Sequence, residues 1–181
     1  MNNVPRTDAE WEAMFAPYDD QTYSDALAFL KPNDIVLDIG AGDLRFANQA
    51  AARVEYIFAI EQRAELLQNR VAPNIQVIHA DARRVEFPKN ISAAILLMRH
   101  CRHFSLYREK LKAVRCNKLI TNARWGMHVE VIDLRAPPLS FVNLAGGWYA
   151  CACGSVGFKE NITFTHSEIT QVKNCPVCFE N

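Results

Sequence analysis

The segment Val36-Leu37-Asp38-Ile39-Gly40-Ala41-Gly42-Asp43 limits what this chain can fold into more than any other, because it runs a row of branched apolar residues straight into a two-glycine turn. An apolar run of that kind reads as a buried strand. From Leu44 the period changes, and Leu44, Phe46, Ala47, Ala50 and Ala51 fall along one helical stripe. Strand, glycine turn and helix in that order open an α/β unit. Further runs at Tyr56 to Ile60, Ile75 to His79, Ala93 to Met98, Lys118 to Asn122 and Val129 to Leu134 read as strands. Helical patterns fall at Gln62 to Asn69 and Phe104 to Val114. Such alternation implies an α/β fold, a mostly parallel sheet with helices on both faces. The connection ARWGMH between the last two strands is too short for a helical crossover, so those strands should be antiparallel.

Acidic residues mark the ends of the first three strands. Asp38 precedes the glycine turn, Glu61 follows the second strand 19 residues after Gly42, and Asp81 follows the third. Ligands of open α/β sheets bind at this carboxyl edge, and an acid after the second strand is placed to accept ribose hydroxyls. A dinucleotide fingerprint needs a small residue three positions after the second glycine, where this chain has Arg45. A pyrophosphate would also be repelled by Asp38 and Asp43, whereas a ligand carrying sulfonium and ammonium charges would be attracted.

The stretch VLDIGAG (Val36 to Gly42), with Glu61 and Asp81, resembles the cofactor-binding motifs of the class I S-adenosylmethionine-dependent methyltransferases. The resemblance spans about Phe15 to Leu134. It implies a Rossmann-like sheet, here shortened at its C-terminal end, and S-adenosylmethionine as cofactor. By that resemblance Asp38, Gly40, Ala41 and Gly42 would pass the cofactor's amino-acid part, Glu61 with Gln62 would hold the ribose, and Asp81 with Ala82 would meet the adenine. The stretch FAPYDDQTY, Phe15 to Tyr23, is similar in position to a segment that often covers the cofactor. The third glycine of the family motif is replaced by Leu44.

After the fourth strand, where the methyl acceptor usually lies in this family, the chain reads Met98-Arg99-His100-Cys101-Arg102-His103-Phe104. His100 and His103 are the candidate catalytic bases, since an imidazole titrates near neutrality. The Asp/Asn-Pro-Pro-aromatic motif of enzymes that methylate exocyclic base amines is absent, which disfavours that substrate class. No supporting motif accompanies Cys101 as a nucleophile. Eight Lys or Arg against one acid, from Arg99 to Arg124, read either as a solvated face or as a basic wall toward a phosphate-bearing substrate.

Cys151-Ala152-Cys153 and Cys175-Pro176-Val177-Cys178 are two short pairs separated by 21 residues. Two such turns can supply four thiolates to a closed tetrahedral zinc site, the expected reading, with a redox or disulfide role or unrelated thiols as the alternatives. The tail resembles a zinc ribbon, with strands expected at Val156 to Phe158 and Ile162 to Phe164 and the metal supplying the folding free energy. The expected organisation is a helical segment over 1–31, a Rossmann-like domain over 32–136, and the zinc-ribbon tail over 146–181.

The first residues are polar and acidic from Asp8 to Glu12, without the apolar core of a signal peptide. The longest apolar run falls far short of the roughly 20 residues a membrane span needs. A cytoplasmic protein is therefore expected, in which six cysteines serve as thiols or ligands. Twenty basic residues balance twenty acidic ones, so no global field draws nucleic acid. Together these features point to a methyltransferase acting on a macromolecule, RNA ahead of protein. The alternative is a non-catalytic module whose zinc ribbon docks RNA or a protein. A nicotinamide-dependent enzyme is disfavoured by Arg45.

Overall fold

The computed structural model describes residues 10, 18–68, 70–125, 128–160 and 169–179. Helix α1, Asp20–Ala28, starts at Asp19, whose Oδ1 accepts the Thr22 N–H at 2.7 Å and so satisfies a first-turn donor. Strand β1, Ile35–Ile39, runs into the glycine turn, and helix α2, Arg45–Ala51, follows it. Then come β2 (Tyr56–Glu61), β3 (Ile75–His79), β4 (Ala93–Leu96), helix α3 (Phe104–Ala113), β5 (Lys118–Thr121) and β6 (Glu130–Asp133). These six strands form one sheet in the order β3-β2-β1-β4-β5-β6. All pairs are parallel except β5 with β6, which are antiparallel as the short connection requires.

Alternation along the strands builds a core on each face. Val36, Ile57, Ala59, Ile95 and Ile120 pack with Tyr23, Ala26 and Leu27 of α1 and Phe46, Ala47 and Ala50 of α2. Leu37, Ile39, Ile60, Leu96 and Leu119 pack with Phe104, Tyr107 and Leu111 of α3 on the other side. Helices therefore cover both faces, and the architecture is Rossmann-like.

Three sequence expectations change. The helix expected over Gln62 to Asn69 is only a single 3₁₀ turn at Ala64–Leu66. The crossover is held instead by side chains: Asn48 bonds Arg70 O and Ala72 N, and Asn74 Nδ2 donates to Ala51 O and Val54 O. Those bonds satisfy backbone groups without a helix. The helical segment expected over 1–31 contains α1, and 1–9 and 11–17 lie outside the described residues. The C-terminal sheet is larger than a ribbon hairpin. It comprises β7 (Leu139–Ser140), β8 (Gly147–Cys151), β9 (Val156–Lys159) and β10 (Thr170–Lys173) in the order β7-β10-β8-β9, with β10 parallel to both neighbours. It therefore takes in Leu139, ahead of the expected start at 146. The strand expected at Ile162 to Phe164 lies outside the described residues.

One buried arginine joins the two sheets. Arg124, just past β5, bonds the carboxylate of Glu130 through Nε and Nη2, donates to Cys151 O at 3.1 Å and to Gln171 Oε1 at 2.9 Å, and lies over the Phe104 ring. No helix among the described residues is long and apolar enough to cross a membrane.

Candidate functional site

The parallel strands of the first sheet end together on one side, and a cavity of about 300 Å³ opens there. Gly40, Glu61, Gln62, Asp81, Ala82, His100 and His103 all line it, so seven expected site residues from four separate stretches of chain meet in one space. Asp38, Ala41 and Gly42 do not line it. Gly40 and Ala41 both donate to Ile60 O at 2.9 Å, and Gly42 N–H donates to Glu61 Oε2 at 2.9 Å. The glycine turn is thus fastened to the end of β2.

Gly40 has φ 71°, a left-handed conformation, and a Cβ added there would stand 2.5 Å from Met98 Cε. Leu44, where the family motif has a third glycine, also adopts φ 65°. Leu44 thus holds a conformation that glycine adopts without cost.

Glu61 is almost wholly buried and takes three hydrogen bonds, from Gly42 N, Arg63 N and Arg63 Nε. Two fall on Oε1 and one on Oε2, so Oε2 keeps acceptor capacity for a hydroxyl. Asp81 is gripped by Arg83 through Nε and Nη2, which holds its carboxyl below the usual carboxylate range. Asp38 differs, because its Oδ2 is buried without a hydrogen-bond partner. Burial and the neighbouring Glu61 charge push its carboxyl up to about 7. A cation beside the turn would relieve both effects.

On the opposite wall, Tyr18 OH accepts the Arg99 N–H at 3.0 Å, and the Arg99 guanidinium lies 5.0 Å over the Tyr18 ring. His100 has φ 57° and its N–H bonds Ala123 O. Of the basic stretch, Arg99 and Arg102 line the cavity. Four of the others serve the fold: Arg108 is buried against Glu109, Lys110 donates to Ala82 O and Val85 O, Lys118 pairs with Asp34, and Arg124 joins the sheets; Lys112 and Arg115 are exposed. The stretch is therefore neither a solvated face nor a continuous basic wall. Sequence reasoning missed Arg83 and Tyr107 as lining residues, whereas Tyr18 and Met98 lie in the two stretches it set beside the cofactor and the acceptor.

The second centre lies at the end of β8 and just past β10. The Sγ atoms of Cys151, Cys153, Cys175 and Cys178 all lie within 4.8 Å of one another, with contacts of 3.6 to 3.7 Å. A tetrahedral zinc with bonds of about 2.3 Å sets its sulfurs about 3.8 Å apart. The cluster fits that geometry, and every separation is too long for a disulfide, so all four are free thiols.

A model of the ribosomal RNA adenine dimethylase family matches residues 24–124, more than half of the chain. The chain belongs to the ribosomal RNA adenine dimethylase family. Its fold is shared with a dimethyladenosine transferase from Plasmodium falciparum, at 18% identity and a TM-score of 0.50, covering 57% of this chain and 41% of that one. It is shared also with a precorrin-6y C5,15-methyltransferase from Geobacter metallireducens, at 16% identity and a TM-score of 0.50, covering 57% and 62%. The chain spans 41% and 62% of the length of these two solved structures. A comparison with curated proteins finds no match. The family match ends at Arg124, so the four-thiol sheet lies wholly beyond it. It includes Met98 to Phe104, where the motif for exocyclic amines is missing.

Proposed function

We propose that this protein is an S-adenosylmethionine-dependent methyltransferase acting on RNA, with a structural zinc ion in its C-terminal sheet. The observation that carries the reading is the convergence of Gly40, Glu61, Asp81 and His100 on one cavity at the carboxyl edge of a methyltransferase-type sheet. Family membership supports RNA as the acceptor.

The cofactor supplies an electrophilic methyl group on a sulfonium. The residues do the rest. The Gly40 turn leaves the backbone open to a close ligand, and the charge on Asp38 favours an ammonium or sulfonium nearby. Glu61 Oε2 accepts from a ribose hydroxyl, while Asp81 and Ala82 border the adenine. Arg99, Arg102 and Arg83 set positive charge around the opening, suited to phosphate. His100 or His103 takes the acceptor's proton, in a cavity that fixes the attack direction. Cys151, Cys153, Cys175 and Cys178 hold zinc with no open position, so the metal supports the fold and takes no part in transfer. A cytoplasmic location suits four reduced thiols.

Calorimetric titration with S-adenosylmethionine and S-adenosylhomocysteine tests the cavity. Both should bind, and Glu61→Ala should weaken each by about tenfold to a hundredfold, the loss of hydrogen bonds to a buried carboxylate. Absence of heat with either ligand would overturn the reading. Elemental analysis should give one zinc per chain, and a clearly lower content would remove the metal assignment.

A second reading, a cofactor-binding module without transfer, is favoured by one observation: the acceptor motif is replaced by Met98-Arg99-His100-Cys101. It predicts cofactor binding with no methylated product.

A further inference from the structure

Three rings form a row across the seam between the two sheets. Trp125 lies edge-on to Trp148, with centroids 6.0 Å apart, and Trp148 lies edge-on to Phe158 at 5.2 Å. His128 stacks on Trp125 at 5.9 Å and 20°. Trp148 and Phe158 are cross-strand partners on β8 and β9, and they are 45% and 48% exposed. A folded chain ordinarily hides such rings, so a contiguous exposed pair marks a contact surface.

Its position says which surface. The row begins two residues after Ala123, whose carbonyl takes the His100 N–H at the cavity rim. Arg83, Arg99 and Arg102 line the same cavity. Exposed rings on β8 and β9, joined through the half-buried Trp125 to the chain that follows β5, together with a cavity lined by cations are a combination that holds single-stranded nucleic acid, in which bases stack on rings and cations follow the phosphates. Duplex RNA keeps its bases inside and presents no free face to such a row. We propose that Trp125, Trp148 and Phe158 form a stacking platform for unpaired bases adjoining the nucleotide held in the cavity. This rests on the reading of RNA as the acceptor. The thiol cluster fixes the platform in place: Trp148 lies on the same strand as Cys151, whose carbonyl is tied to Arg124 beside Trp125.

The test uses the full zinc-loaded chain and a fluorescein-labelled mixed-sequence 12-nucleotide RNA, single-stranded and as a duplex, followed by anisotropy. The single strand should bind more tightly than the duplex. Trp148→Ala and Phe158→Ala should each weaken single-strand binding by about tenfold, the effect of losing one stacked base. Trp148→Phe should keep most of the affinity. Zinc content and S-adenosylmethionine affinity should be unchanged in all three, which shows that they fold. If the wild type binds and methylates RNA but the alanine variants bind the strand equally well, the platform is wrong and the function stands. If the wild type binds no RNA at all, the RNA reading itself fails, and the row becomes a contact for a protein.

Discussion

At the scale of single residues, Leu44 and Asp38 carry the clearest consequences. Leu44 holds a left-handed conformation that costs a non-glycine residue about 1–2 kcal/mol, yet its side chain is fully buried. Burial outweighs strain, since removing a buried leucine side chain costs about 2–5 kcal/mol. Leu44→Gly, which restores the family's glycine, should therefore lower stability in urea by roughly 1–4 kcal/mol. A gain in stability would mean the strain dominates. Asp38, with its carboxyl raised to about 7, binds a proton in the folded state that the unfolded chain releases near pH 4. Its contribution is thus fully present at low pH and lost as pH rises through 7. Between pH 5 and 8 the wild type should lose more stability than Asp38→Asn, and equal slopes for the two would contradict the buried, unpartnered carboxylate. Both residues stand at the glycine turn, the part of the molecule most legible in the sequence. Gly40, Glu61 and Asp81 could be read because each stands at the C-terminal end of a strand. Arg83 and Tyr107 could not, because they reach the cavity only through tertiary packing.

At the scale of elements, pattern served strands better than crossovers. The six strands of the large sheet fall where apolar runs predict, most plainly in the inner strands β1, β2, β4 and β5, where burial on both faces leaves an unbroken signal in sequence. The β2–β3 crossover has a helical pattern but only one 3₁₀ turn; Asn48 bonds the backbone of Arg70 and Ala72, and Asn74 ties the end of the crossover to Ala51 O and Val54 O. The parallel pairing of β10 with β7 and β8 had no local signal, for it joins segments distant in sequence. Arg124 was read as one charge in a basic stretch and is instead the buried bolt between the sheets. Arg124→Ala leaves Glu130 buried without its partner, and should cost about 3–5 kcal/mol. Arg124→Met with Glu130→Leu should recover most of that in the same denaturation experiment. A double variant as unstable as the single would show that the bonds to Cys151 O and Gln171 carry the joint.

At the scale of the whole molecule, two units with different sources of stability share one seam. The large sheet is held by two apolar cores, whereas among the described residues the small sheet buries Leu144, Tyr149, Val172 and two cysteines together, with Phe141 and Cys153 packed on them. With so small a core, the zinc proposed for the four thiols would supply much of that sheet's stability. Chelation should raise hydrogen exchange across 139–179 while β1, β2 and β4 stay protected, and uniform protection after metal loss would contradict this division. The central claim, that the cavity delivers a methyl group to RNA, is tested most directly by incubating the zinc-loaded chain with S-adenosylmethionine labelled in its methyl group and total RNA. Label should enter the RNA in proportion to enzyme, and should fall sharply with Glu61→Ala. Label appearing in protein instead, or in neither while the cofactor binds, would contradict the account.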